Sequence, residues 1–376
     1  MRKNNLMPYF SLKAFSLCLA ALACLPLGSI ANAEPLQWVT VGDPGNTADT
    51  TGAPNPAGAV ATSFQIMKYE FTNQQYTDFL NSVASTDTYS LYNTNMGSNA
   101  RGGISRSGSS GSYSYSVRTN MGDKPVNWVS WFDAARVSNW YQNGATSSSS
   151  TETGAYTLVG GQTSGTAPAV NSGATFYVPT EDQWYKAAYY KGGGTSAGYW
   201  NYATQNDSDP TAVTAGSTGI GSAGSTGNFA NYNNTADWNS QNGNVTTVGT
   251  NGGPSAYGAF DMSGNVGEWN DLTGAAGSSR GLRGGYWNGS AFRLSSSYSG
   301  SFDPSNVLLP PRFSARKSGQ RPLRRPRDRP ERFECSVGAA LRWTWVTGTT
   351  TVRPLTVPFG LCSFIPLIPL APLLAA

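Results

Sequence analysis

Two carboxylates, Asp261 and Glu268, stand on either side of a turn that contains Gly264. A hard cation such as calcium takes about six to eight oxygens, and a glycine-bearing turn flanked by carboxylates supplies side-chain and backbone oxygens together. The plainer alternative is that Asp261 caps the turn and Glu268 is solvated. Other chemistry is bounded by absences, because the 376 residues contain no histidine and residues 34–311 contain no cysteine. Histidine metal sites, Ser-His-Asp triads and imidazole acid–base catalysis are therefore excluded. No disulfide framework exists in that stretch either. Glu181 has no second carboxylate placed to work with it, so it reads as a cap and loop tether rather than a general acid. Lys186, on the same helix, reads as solvated. Arg283 and Arg293 can be read as grips for an anionic ligand or as buried clamps between loops, and both readings stay open.

The elements that must hold these residues are short. Trp38–Gly42 and Phe64–Glu70 read as strands. The run after Thr72 reads as a helix, with Gln75 three residues past a capping threonine and Tyr76, Phe79 and Leu80 at helical spacing. Ser130 with Asp133 opens a second helix whose stripe is Ala134, Val137 and Trp140, and Thr180 with Gln183 opens a third. Residues 84–122 read as a loop or short hairpin, and residues 143–175 as a polar insert. Residues 192–256 are mostly Gly, Ser, Thr, Asn and Asp, but Trp200, Phe229, Tyr232 and Trp238 are spaced through them. A flexible linker needs no such anchors, so this stretch is read as an ordered, loop-built layer. Trp128, Trp131, Trp140, Trp184, Trp269 and Trp287 lie inside packing motifs and read as core.

The two ends differ from the body. Basic Arg2, Lys3 and Lys13 precede an apolar run over residues 15–28, and Ala31-Asn32-Ala33 forms a small-residue cleavage site, so residues 1–33 read as a secretory signal. The run is short of the roughly 20 residues a bilayer span needs, which argues against an uncleaved anchor. A periplasmic or extracellular location follows, with no stable membrane span in the mature body. Residues 34–311 hold 11 Lys and Arg against 18 Asp and Glu, a net charge of −7, while residues 312–376 hold 11 against 3, a net of +8. An acidic body argues against nucleic acid as a partner. The Arg/Pro-rich tail, residues 316–376, reads either as a disordered basic appendage or as the product of a reading-frame error in the gene.

Four stretches, in order, carry a resemblance: Pro125–Trp140, Val178–Ala188, Gly258–Trp269 and Arg283–Trp287. Together they resemble the formylglycine-generating enzyme (sulfatase-modifying factor) domain family over roughly residues 37–313, giving a domain at 34–315. The resemblance implies a single α/β domain of the formylglycine-generating-enzyme fold, with C-type-lectin-like topology and little regular secondary structure. Active members hold copper on a cysteine pair just after the last motif. Those positions fall near Gly289 and Leu294 here, and neither residue ligates metal, so no copper is expected. Iron-dependent relatives rely on histidine, which is absent. The resemblance also implies one or two calcium ions. One would be held by Asn231 and the Tyr232 carbonyl with Asn242 and the Asn244 carbonyl, the other by Asp261, Glu268 and the carbonyls of Gly264 and Val266. Three functions follow as alternatives: a noncatalytic, calcium-stabilised domain binding a protein or glycan, an oxidoreductase using other residues, or a structural cell-envelope protein.

Overall fold

The computed structural model describes residues 35–307 and the backbone of a last strand, Ala315–Lys317. The secretory segment and all but the first two residues of the Arg/Pro-rich tail lie outside the described residues. In chain order the elements are β1 (Trp38–Val41), β2 (Phe64–Met67), α1 (Asn73–Val83), α2 (Asn95–Ser98), β3 (Ile104–Ser107) and β4 (Ser114–Val117). They continue with α3 (Trp131–Gln142), α4 (Glu181–Tyr189), β5 (Thr211–Ala212), β6 (Phe229–Ala230), β7 (Glu268–Asn270), β8 (Arg280–Arg283), β9 (Gly300–Phe302) and β10 (Ala315–Lys317).

Strand β2 pairs antiparallel with both β1 and β10, and β8 pairs antiparallel with both β7 and β9. The stretch read as a loop or hairpin holds the β3–β4 hairpin. Strand β2 stops at Met67, short of the Glu70 that its apolar pattern suggests, because Glu70 leaves the sheet to accept hydrogen bonds from Asn265 Nδ2 and Val266 N–H.

Helices α1, α3 and α4 each begin with a reciprocal capping box, made by Thr72 with Gln75, Ser130 with Asp133 and Thr180 with Gln183. In each, the cap hydroxyl accepts from the backbone N–H of the third helical residue, whose side chain accepts from the cap N–H in return. Thr180→Ala is expected to lower stability by about 1 kcal/mol. The check is the urea midpoint at unchanged slope, and a midpoint that stays put would show the cap to be idle.

The helices pack through aromatic rings. Phe79 of α1 meets Trp140 of α3 with ring centroids 5.4 Å apart. Trp131 donates from Nε1 to Asp271 beyond β7 at 2.9 Å, which ties α3 to the second sheet. Of the six tryptophans read as core, Trp131, Trp140, Trp184 and Trp269 are fully buried, while Trp128 and Trp287 are only half-buried. The polar layer from 192 to 256 is anchored as its aromatics suggest at two points. The Tyr232 hydroxyl donates to the Pro210 carbonyl at 2.6 Å, and buried Trp238 donates from Nε1 to the Val245 carbonyl at 2.8 Å. Among the described residues, no helix is long and apolar enough to cross a membrane.

Candidate functional site

The turn from Asp261 to Glu268 is shaped by left-handed backbone at Asp261 (φ 59°), Gly264 (φ 94°) and Asn265 (φ 62°). A Cβ on Gly264 would stand 2.5 Å from the Asn231 carbonyl oxygen, so only glycine lets the two loops approach. Asn265 N–H donates to that carbonyl at 2.7 Å, and Gly264 N–H donates to the Gly284 carbonyl at 2.7 Å. Beneath the turn, Glu70 accepts from Asn265 Nδ2 at 2.6 Å and from Val266 N–H at 3.2 Å. Glu70 carries no motif of its own in the sequence, yet it holds the turn from below.

The expected ligands are partly brought together. Asn231, fully buried, donates from Nδ2 to the Asn244 carbonyl at 2.8 Å and to Thr246 Oγ1 at 3.0 Å. The Tyr232 carbonyl accepts from Thr235 Oγ1 at 3.1 Å. Asn242 stands apart, being exposed, with its carbonyl accepting from Arg101 Nη2 at 2.9 Å. The Asp261 carboxylate accepts from Asn251 Nδ2 at 2.9 Å and from Gly249 N–H. Glu268 is fully buried and accepts from Trp184 Nε1, so it is not the solvated group of the plainer reading. Asn231 Oδ1 is buried and has no hydrogen-bond partner. An orphaned oxygen of this kind fits a hard cation, which takes amide and carbonyl oxygens readily. The second set fits by donor type, two buried carboxylates around one turn. Among the described residues, no group of three or more His, Cys, Asp or Glu side chains is placed to hold a metal. A cation here would therefore rest largely on amide and carbonyl oxygens.

The two residues near which the resemblance puts the cysteine pair are both buried. Leu294 is fully buried, packing with Tyr202 and Ala230, and Gly289 is buried in a tight turn closed by its N–H to the Tyr286 carbonyl at 2.7 Å. Around them lies an aromatic surface that the motifs alone do not reveal. Phe292 is 60% exposed and meets Tyr298 edge to face at 5.7 Å. The Arg293 guanidinium lies 5.4 Å from the Tyr286 ring and 5.2 Å from the Tyr298 ring, and donates to the Tyr298 hydroxyl at 2.8 Å. Nearby, Arg101 stacks on Trp287 at 4.2 Å.

The two arginines left open thus part ways. Arg283 is a buried clamp, paired with Glu181, donating to the carbonyls of Ala53 and Tyr298 and lying 4.8 Å from the Tyr185 ring. Glu181 is a tether as expected, and burial raises its pKa despite the charge of Arg283. Lys186 corrects the sequence reading. It is buried, not solvated, and donates to the Asp43 carbonyl at 2.7 Å because the loop after β1 folds across α4. Burial lowers its pKa, and the charge of Asp43 opposes that shift.

A profile of the sulfatase-modifying factor enzyme 1-like domain matches residues 31–308. No curated protein sequence matches the chain. Among solved structures, variable protein 1 of Treponema denticola is 18% identical, with a TM-score of 0.40, the match covering 74% of this chain and 94% of that one. The structure titled CarF is 20% identical, with a TM-score of 0.43, covering 75% and 98%. PvdO from Pseudomonas aeruginosa is 17% identical, with a TM-score of 0.36, covering 75% and 92%.

Proposed function

Because the chain belongs to the sulfatase-modifying factor enzyme 1-like domain family, yet carries Gly289 and Leu294 where the cysteine pair would stand, we propose that it is a noncatalytic binding domain. It is exported to the periplasm or beyond, and it presents the surface of Tyr286, Phe292, Arg293 and Tyr298 to a protein or glycan. The C-type-lectin-like topology implied by the resemblance belongs to the same proposal. One observation carries it. Near where the resemblance puts the reactive thiols stand a buried leucine and a tight glycine turn, while a phenylalanine two residues from that leucine is 60% exposed. Its clustering with Tyr286, Arg293 and Tyr298 brings together the Tyr and Arg residue types enriched in binding hot spots. A peptide bearing a sulfatase-type cysteine should leave incubation unoxidised, and formylglycine in its mass spectrum would sink the noncatalytic reading.

The second part of the proposal is that one or two calcium ions brace the loops around the site, and no copper is held. Asn231, Asn242 and the carbonyls of Tyr232 and Asn244 would hold one, with the buried, partnerless Asn231 Oδ1 as support. Asp261, Glu268 and the carbonyls of Gly264 and Val266 would hold the other. Bound calcium supplies charge and loop cross-linking rather than a reaction. Calcium at about 100 times its Kd should add about 2.7 kcal/mol to the stability measured in EDTA. Asp261→Asn should shrink that gain. An unfolding midpoint indifferent to calcium, or copper or iron found in the purified protein, would overturn this part.

A further inference from the structure

We propose that the ligand of the Tyr286–Tyr298 surface is an acidic glycan, with Arg293 taking a sugar carboxylate and Phe292 stacking on the sugar ring. This rests on the binding reading above and names the class of its ligand.

Residues 35–307 include seven arginines. Arg106, Arg136, Arg280 and Arg283 pair with carboxylates. Arg101 and Arg118 donate to backbone carbonyls. Arg293 differs: among the described residues its only hydrogen bond goes to the Tyr298 hydroxyl, at 2.8 Å. The rings of Tyr286 and Tyr298 lie 5.4 and 5.2 Å from its guanidinium carbon and orient the group. A guanidinium oriented by ring contacts keeps in-plane N–H groups free for a planar anion, and the fork of Nε and Nη2 matches the two oxygens of a carboxylate. The lack of a carboxylate partner is not a shortage of acid in the protein, since residues 34–311 carry 18 acidic side chains against 11 basic ones. A guanidinium with no carboxylate partner in residues 35–307 is available to pair with an anion from outside, through a local bidentate contact that acts against the net charge of the body.

The ring supplies the second half of the recognition. Phe292 and Arg293 both pack against Tyr298, so an apolar face and a cation lie within the breadth of one monosaccharide. A uronate residue carries a carboxylate rigidly fixed to a ring with C–H groups on its faces, which matches that juxtaposition. An acidic peptide carries its carboxylate on a flexible side chain and gives up more rotamer freedom for the same contact.

The test titrates the full chain with tetrasaccharides of galacturonate, of mannuronate and of alternating glucuronate and N-acetylglucosamine, each beside its carboxyl-reduced form. At least one uronate should bind, and reduction of its carboxyls should weaken binding ten-fold or more. Arg293→Gln should produce the same loss, and Phe292→Ala should weaken both forms, with thermal midpoints near that of the parent because Phe292 is largely exposed and Arg293 is not fully buried. Equal binding of the reduced and unreduced sugars, still sensitive to Phe292→Ala, overturns the acidic class and leaves the binding reading standing. Binding of a glutamate-rich decapeptide in place of every uronate overturns the glycan class. Failure of sugars and peptide alike overturns this inference and counts against the binding surface itself.

Discussion

Arg283→Ala is expected to destabilise the fold by about 3–5 kcal/mol, the range for removing one partner of a buried ion pair. Arg283 and Glu181 are both buried, and the guanidinium also donates to the carbonyls of Ala53, Ser296 and Tyr298. Deleting it leaves a buried carboxylate without its counter-charge and three carbonyls short of a donor. It also empties a volume beside the Tyr185 ring. The loss should appear as a drop of about 6–20 °C in the thermal midpoint. Glu181→Gln combined with Arg283→Ala should recover part of that drop, since no uncompensated charge is then buried. A single substitution costing under about 1 kcal/mol would mean that water reaches the pair, and the clamp reading would fail.

Stability should rise, not fall, as the pH is lowered from 7 to 5. Burial pushes the Asp133 carboxyl up to about 6 from 3.8, and hydrogen bonds from Ser130 and the charge of Arg136 only partly offset it. Burial likewise pushes Asp271 up to about 6, despite the charge of Arg280 and bonds from Tyr156 and Trp131. Burial also raises Glu181 and Asp87. A carboxyl raised in the folded state binds its proton there before the unfolded chain does, so acidification through that window favours the fold. The two groups near 6 together contribute about 2–3 kcal/mol between pH 7 and pH 5, or about 5–10 °C in midpoint. Asp49 works the other way. Burial pulls it upward, but hydrogen bonds from Tyr185 and Thr51 hold it below 3.8, so its loss is felt only in stronger acid. Thermal scans in EDTA keep cation binding out of the slope. Asp133→Asn retains an acceptor for Ser130 and should remove about half of the rise. A midpoint that falls steadily from pH 7 to pH 5 would contradict the burial of these carboxyls.

Helix starts were legible because their information is local. Thr72, Ser130 and Thr180 find their partners three residues on, in Gln75, Asp133 and Gln183, and each forms the reciprocal box. Gly264 was legible as part of a short motif, although the close approach of the Asn231 backbone that excludes a Cβ there comes from a separate loop. The hold of Glu70 on that turn was not, because Glu70 and Asn265 are 195 residues apart. The aromatic surface was half legible. Tyr286 and Trp287 stand in a motif, whereas Phe292 and Tyr298 stand in a run of serines with no periodicity to mark them.

By itself, the order of residues determined which chemistries are closed, where the capped helices begin, and which family the motifs belong to, since each depends on residue type or on spacings of a few positions. Tertiary structure alone decided the fate of individual charges. Lys186 is buried against a carbonyl 143 residues before it, and Arg283 against one 230 residues before it, while Arg293 stays only half-buried. Burial is a sum over neighbours brought from distant parts of the chain, and local patterns register only the few residues beside each position.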